Sequence, residues 1–563
     1  MSLSAGGRRR PGRGVVGLGV AMVVGIVMLA VGLDRGVPVP LPGFPDMPAV
    51  PTRLPISTGG VVESPAPGQT AVIAADTVPL SRPTFEYQGT QPWQIHRHST
   101  RALVLEGYAS RPSYLPGESL RLAVSTTAST YDLTIWRVAG AAPVKGPFVQ
   151  MASIGNLPGR RESAPAVDPV TRIVAARWPL TYAFTIPATW PSGVYLVRLA
   201  SSQDVQSYVP FVVRSASAHQ VLVVASVLNW QAYNLWGGSN LYQSSVGEPV
   251  PGVRRAIGVS FDRPYATDDG AGQLFFLELP FISWLERQGL DVAYTTDYDL
   301  SVSPDAQPLP RVVVFNGHDE YWGVPLYDWL DRHLNAGDIS IASFAADTGF
   351  WPVSFDRPSA DGPRDVMCLK LGPIPRALLA PGQTAEPSEG PGATLQPGET
   401  EERAGPGYTA YGPDGPYVGS FPDQPLFGVR YRGITEVLGR YTLVAAGSDQ
   451  RLLDGTGLAP TASLGFIAGG EVDGVYPFPE YWGPQGGAYD HRFASAMGLR
   501  GRNPSTRWTA DAVWRELPSH GRVFSAGTFY WGWALDPAWG AQHEVPPGFA
   551  RLTRNILSFL AAP

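Results

Sequence analysis

The sequence predicts a parallel-sheet α/β domain preceded by an antiparallel β-sandwich, behind an N-terminal transmembrane helix. Three observations lead there. An unbroken apolar run, Val15 to Leu33, follows Arg8, Arg9, Arg10 and Arg13. Between about residues 84 and 214, short segments alternate apolar and polar side chains, the period-two pattern of strands with one buried face. From Val221 onward, continuous apolar runs alternate with segments of helical period, as in a sheet covered on both faces.

The apolar run, at about 1.5 Å per residue, spans about 28 Å, close to the ~30 Å hydrocarbon core of a bilayer. Its exit, Ala30-Val31-Gly32-Leu33-Asp34, matches poorly the small-residue cleavage site of a secretory signal. Residues 1–36 therefore read as a basic cytoplasmic stub and an uncleaved signal anchor, with a cleaved signal as the alternative. The positive flank stays inside, which places the chain at the cytoplasmic membrane, single-pass, with the globular part extracytoplasmic. Residues 37–80 are proline-rich, beginning Pro38, Pro40, Pro42, Pro45, Pro48, Pro51 and Pro55, and read as a semi-rigid linker.

Residues 81–215 are expected to form an Ig-like sandwich. Leu120, Leu122 and Val124, then Tyr131, Leu133 and Ile135, then Tyr195, Val197 and Leu199 alternate with polar partners, and Pro116-Gly117 and Pro191-Ser192-Gly193 supply turns. Residues 216–563 are expected to form the α/β domain. Its strands begin with Val221–Ala225, Asp291–Tyr294, Arg311–Phe315 and Ile339–Phe344; its helices include Leu279–Leu290, Val324–Asn335 and Leu552–Leu560. Near 380–407 the chain is rich in Pro, Gly, Glu and Thr, the composition of a disordered insertion.

Composition narrows the chemistry. The 563 residues carry a net charge of −6 with a pI near 5.8, which gives nucleic acid no basic surface. Lysine occurs only at Lys145 and Lys370, and arginine supplies the other 40 of 42 cationic residues. The lone cysteine, in Val366-Met367-Cys368-Leu369, permits neither an internal disulfide nor a thiolate cluster. Its apolar context suits a buried structural thiol.

Two motifs follow predicted strands, where an open α/β sheet places its ligands. The first is Gly317-His318-Asp319-Glu320-Tyr321-Trp322. In extended backbone His318 and Glu320 project to the same side, as a metal centre or a general acid/base pair requires. The alternative is that Asp319 or Glu320 caps the next helix while Tyr321 and Trp322 pack. The second motif runs from Asn229 to Gly238, a loop in which Trp230, Gln231, Tyr233, Asn234 and Trp236 suit a half-dry pocket, the alternative being aromatic packing under a glycine turn. Trp230, Asn234, Trp236, Asp319 and Tyr321 are the expected substrate-pocket residues. Glu471 and Asp473 are two further acids able to join the site or to serve as solvated or capping groups.

Taken in order, Trp230 to Gly238, Ser260-Phe261-Asp262-Arg263-Pro264-Tyr265, Trp284-Leu285-Glu286, Gly317 to Trp322 and Gly470-Glu471-Val472-Asp473 resemble the large (beta) subunit of N,N-dimethylformamidase, over its C-terminal domain and roughly residues 216–563 here. The resemblance implies a mononuclear, ferric iron bound by two tyrosines and a glutamate, with a histidine nearby, that hydrolyses a small amide to an amine and formate. Carried onto this sequence, Glu320 is the glutamate, His318 the histidine, Tyr233 one tyrosine and Tyr195 the candidate for the other; His318 and Glu320 are the catalytic pair. A homo-oligomer or a small partner subunit stays open. Ala345-Ala346-Asp347-Thr348 departs from the small-Asn-Thr pattern expected there. The sheet is also similar to the class I glutamine amidotransferase-like fold, although no cysteine stands at a strand-to-helix elbow.

Two functions are thus expected: a membrane-anchored, extracytoplasmic, metal-dependent hydrolase of a small amide or related C–N bond, or a non-catalytic extracytoplasmic protein that binds a carbohydrate or cell-envelope component.

Overall fold

A computed structural model describes residues 77–80, 83–96, 104–140, 146–249, 253–370, 426–475, 490–500 and 507–562. The expected anchor and the expected insertion lie outside them. Among the described residues no helix is long and apolar enough to cross a membrane.

Five parallel strands carry the centre of the fold: β1 (Val221–Ala225), β2 (Val292–Thr296), β3 (Val312–His318), β4 (Ser340–Ala346) and β5 (Arg522–Ser525). Their order in the sheet is 2-1-3-4-5. Val221 pairs with both Val292 and Val312, and Ile341 pairs with Val523. β1, β3, β4 and β5 are buried along their whole length. Branched apolar runs such as Val-Leu-Val-Val-Ala therefore meet covering layers on both faces.

The sheet is mixed, however, and not wholly parallel as expected. Beyond β5 it continues antiparallel through Arg507–Glu516, Asp490–Arg500 and Val437–Leu443, with Ser463–Ala468 also pairing with the last of these. The outermost strand is Thr77–Pro79, paired with Val437–Gly439. The end of the expected linker thus belongs to the sheet, on an edge where proline's missing N–H is harmless.

The sandwich packs a five-stranded sheet (Ser113–Tyr114, Gln206–Val213, Gly193–Ser201, Thr130–Val138, Phe148–Pro158) on a three-stranded one (Leu105–Ala109, Ser119–Thr126, Tyr182–Thr185). Leu120, Leu122, Leu133, Ile135, Tyr195 and Val197 fill its interior, as their alternation predicts. Gln206–Val213 is buried on both faces because Tyr208 and Val212 join the core of the α/β layer. One two-pronged ion pair crosses the junction. Arg137 Nη1 and Nη2 each lie 3.0 Å from a different carboxylate oxygen of Glu286, to which Tyr294 Oη also donates at 2.8 Å. Such fork-to-fork pairing fixes orientation as well as charge.

Two helices bear on the site. The first, α1 (Val227–Tyr233), is fully buried and replaces the loop expected there. A seven-residue helix with no solvent face shows no amphipathic period for sequence to reveal. The second, α2 (Val324–Ala336), buries Leu326, Trp329, Leu330 and Leu334 and ends on Gly337 at φ 78°, a left-handed C-terminal stop. Its N-cap is Gly323, with no side-chain cap. Asp319 and Glu320 are therefore not capping residues.

Candidate metal centre

In a sheet ordered 2-1-3-4-5, the chain leaves β1 and β3 in opposite directions, and the crevice between their carboxyl ends is where ligands bind. Both motifs end there. At the end of β3, Gly317 takes φ 72°, turning the chain before His318. Asp319 and Glu320 are then fixed through their carbonyls, which accept from Gly349 N at 2.7 Å and Trp351 N at 2.8 Å. His318 Nε2 comes to 3.3 Å from Glu320 Oε2, as the His-x-Glu spacing predicts.

α1 delivers Tyr233 to the same point. Its Oη lies 2.9 Å from Glu320 Oε2 and 3.1 Å from His318 Nε2. A second tyrosine, Tyr242, follows from the turn after α1. Its Oη is 2.6 Å from Tyr233 Oη and 2.8 Å from Glu320 Oε2. Asn240 holds the two tyrosines together, donating from Nδ2 to the Tyr233 carbonyl at 2.9 Å and accepting from Tyr242 N at 2.9 Å. Tyr321 Oη completes the group, 2.5 Å from Tyr242 Oη.

The electrostatics follow from burial. Burial pushes the Tyr233 phenol well above its usual range, and Glu320 and Glu471 add to the effect. Burial also opposes ionisation of Glu320, yet Lys370 and then His318 hold its carboxyl down at about 2. For His318 burial acts to lower the pKa, but Glu471 and Glu320 outweigh it and the net direction is up. Its Nδ1 faces the Ala346 carbonyl at 3.4 Å.

Tyr233 Oη, Tyr242 Oη and Glu320 Oε2 form a triangle with edges of 2.6, 2.8 and 2.9 Å. With the Tyr321 contact, four oxygen–oxygen approaches share three phenol protons. Oxygen–metal bonds of about 2.0–2.2 Å accommodate such edges, and two phenolates with a carboxylate are a hard donor set suited to a ferric ion. The residues thus fit an iron. Among the described residues no three His, Cys, Asp or Glu side chains form a metal-binding group, so the donor set depends on its phenols.

Tyr195 does not join this cluster. Its ring stacks between Trp190 and Phe211 inside the sandwich, and its hydroxyl donates to the Pro191 carbonyl at 2.7 Å. That bond back to a residue four earlier is the pinning arrangement of a tyrosine corner. Tyr195→Phe is expected to leave metal content unchanged and to cost about 1 kcal/mol of stability, read as a lowered melting temperature. Loss of metal in that variant would return Tyr195 to the ligand set.

Of the expected pocket residues, only Tyr321 stands in the cluster. Trp230 Nε1 donates to Glu278 at 2.8 Å, and Trp236 Nε1 donates to Glu106 at 3.0 Å. Both indoles pack, one of them against the sandwich. Asn234 is spent on local backbone, donating to the Pro264 carbonyl and accepting from Trp236 N and Ala266 N. Asp319 accepts from Trp322 Nε1 at 2.9 Å, away from the tyrosines. Glu471 does reach the site, with Oε2 3.8 Å from His318 Nε2. Asp473 instead accepts from Asp347 N at 3.0 Å, and burial raises its pKa to about 7. Sequence reasoning missed Tyr242 and Lys370. For the first the only signal was a second tyrosine nine positions after Tyr233; for the second, its rarity.

The chain is similar to known proteins. A curated relative, the N,N-dimethylformamidase beta subunit of Alcaligenes sp, is 24% identical over 218 residues. The match covers 31% of this chain and spans 28% of that protein's length. A solved structure of a Paenibacillus sp. cycloisomaltooligosaccharide glucanotransferase is 16% identical over 21% of this chain and 15% of its own, and its TM-score of 0.13 carries no argument. The family described as N,N-dimethylformamidase beta subunit-like, C-terminal, matches residues 145–544, beginning inside the sandwich and ahead of the 216 at which the motifs start. With most of its length so matched, the chain belongs to the N,N-dimethylformamidase beta subunit-like family.

Proposed function

We propose that the chain is a metal-dependent hydrolase of a small amide or related C–N bond. The observation that carries this reading is the triangle of Tyr233, Tyr242 and Glu320 oxygens at the switch point of the sheet, with His318 beside it. Tyr233 Oη, Tyr242 Oη and Glu320 Oε2 would hold a ferric ion, which when bound supplies a Lewis acid for the amide carbonyl and lowers the pKa of a water.

The remaining work belongs to side chains. With Nδ1 directed at the Ala346 carbonyl, His318 keeps its proton on that nitrogen and offers Nε2 as the base. Nε2 takes a proton from the attacking water as the C–O bond forms. It returns that proton to the amide nitrogen as the C–N bond breaks, leaving an amine and a carboxylic acid, which then releases the second water proton to solvent to become a carboxylate. Glu471, 3.8 Å away, stabilises the imidazolium between the two transfers. Phe529, with its ring centre 4.4 Å from that of His318, shields the imidazole from water.

Three further points belong to the same reading. Residues 1–36 anchor the chain in the cytoplasmic membrane, with the globular part extracytoplasmic. The relative's name as a beta subunit supports a partner subunit. The five parallel strands suit a class I glutamine amidotransferase-like sheet. The test is metal analysis of the purified full-length chain with amine release from a panel of small amides. Near-stoichiometric iron, a visible tyrosinate-to-iron band and amine release are expected. A folded, metal-free chain that cleaves none of the panel would overturn the reading.

A further inference from the structure

Lys370 is the only lysine among the described residues, in a chain where arginine supplies 40 of the 42 cationic residues. It is 6% exposed, and its Nζ has no hydrogen-bond partner among the described residues. The ammonium sits 3.7 Å from the ring centre of Tyr242, 4.9 Å from that of Trp351 and 5.1 Å from that of Tyr321. These distances give cation–π attraction but satisfy none of its three N–H donors. The nearest opposite charge is Glu320, and the approach is one-sided. Nζ is 3.9 Å from Oε1, whereas Oε2 is the oxygen shared with Tyr233, Tyr242 and His318.

We propose that Lys370 is a positioning residue that fixes Glu320 as a one-oxygen donor, holding Oε1 so that Oε2 alone faces the two phenols. The inference rests on the metal reading above. Residue type supports it. A guanidinium is a planar fork that engages both oxygens of a carboxylate, whereas an ammonium is a point charge that can hold one. An arginine here would compete for Oε2. The aromatic faces of Tyr242, Trp351 and Tyr321 hold the ammonium in place while leaving its donors unspent, and one of those rings belongs to a proposed ligand. Lys370 thereby ties the orientation of Glu320 to that of Tyr242.

The experiment compares full-length wild type with Lys370→Met and Lys370→Arg. It reads the tyrosinate-to-iron band and the rate of iron loss to a chelator, with melting temperature as the check on folding. Lys370→Met is expected to load iron with a shifted band and to lose it at least tenfold faster. Lys370→Arg, despite keeping the charge, is expected to retain less iron than Lys370→Met. Lys370→Gln stands in if the methionine variant does not fold. Folded variants with the wild-type band and retention overturn the proposal. So does a wild-type-like Lys370→Arg beside an impaired Lys370→Met, because charge alone would then suffice. If wild type holds no iron, the metal reading itself fails, and melting temperatures decide the pair. Glu320→Gln must then cost less in the Lys370→Met background than in wild type, and equal costs overturn the coupling of Lys370 to Glu320.

Discussion

Glu320→Gln is expected to leave a folded chain that holds no iron and shows amide hydrolysis reduced at least ~10³-fold, equivalent to about 4 kcal/mol of transition-state stabilisation. Glu320 is the group on which the site converges, since Tyr233, Tyr242, His318 and Lys370 all approach its carboxylate. The change removes one negative charge and keeps the volume. A neutral amide is a far poorer partner for a ferric ion, and its NH2 end donates where the carboxylate only accepts. Lys370 loses its nearby anion, which costs stability without opening a cavity. Tyr233→Phe and Tyr242→Phe each remove one phenol oxygen and are expected to abolish or shift the tyrosinate band while keeping the fold. Iron content, the band and amine release on the same preparations check all three variants. A Glu320→Gln protein with full iron would show that the carboxylate is not a ligand.

Most of this site was legible in the sequence. His318 and Glu320 stand two apart at the end of a strand, so their convergence is a property of extended backbone and needs no tertiary information. That the Tyr233 motif reaches the same crevice was legible because it directly follows β1, whereas the ligand role of Tyr233 was what the resemblance implied. Tyr242 comes from an irregular turn whose course is set by the Asn240 side chain, and no periodicity encodes such a turn. Lys370 arrives from 50 residues beyond Glu320, through pairing of Asp365–Met367 with Trp351–Asp356 that only the folded sheet reveals. The tryptophans stand apart from the tyrosines: the indole N–H groups of Trp230 and Trp236 donate to Glu278 and Glu106, and Trp230 lines a cavity toward the sandwich instead. Aromatic richness alone does not separate a wall from a core.

The fold shows the same division. β1, β3 and β4 were legible because strands buried on both faces are written as unbroken apolar runs. Three antiparallel strands, Arg507–Glu516, Asp490–Arg500 and Val437–Leu443, were not, because they mix polar and apolar residues and pair across long intervals, Val437–Leu443 with Asp490–Arg500 among them. The alternation of Tyr195 with Val197 and Leu199 correctly marked a sandwich strand. The resemblance drew the same residue toward the metal, and the sandwich core is where it lies.

Gly317→Ala is expected to cost about 3–5 kcal/mol, enough to disable the site or the fold. Two effects add at this position. The residue sits at φ 72°, a conformation that costs a residue bearing Cβ about 1 kcal/mol. An added Cβ would also lie 2.4 Å from the Leu277 carbonyl oxygen and 2.9 Å from its carbon. That obstacle is backbone, not the far end of a flexible side chain, and it cannot move freely. Leu277 belongs to a helical turn, Leu274–Glu278, that is buried throughout, and the neighbouring Phe276 carbonyl accepts from Trp533 Nε1. Relief must therefore come from β3, shifting His318 and Glu320 away from the tyrosines. Gly289 separates the two effects. It has φ 66° with nothing within 4 Å of its would-be Cβ, so Gly289→Ala should carry the backbone term of about 1 kcal/mol alone. The expected result is a melting temperature lowered several times more by Gly317→Ala than by Gly289→Ala, with metal lost only in the former. Equal losses from the two variants would mean that β3 yields to the added carbon without cost and that the bend at Gly317 does not set the position of His318.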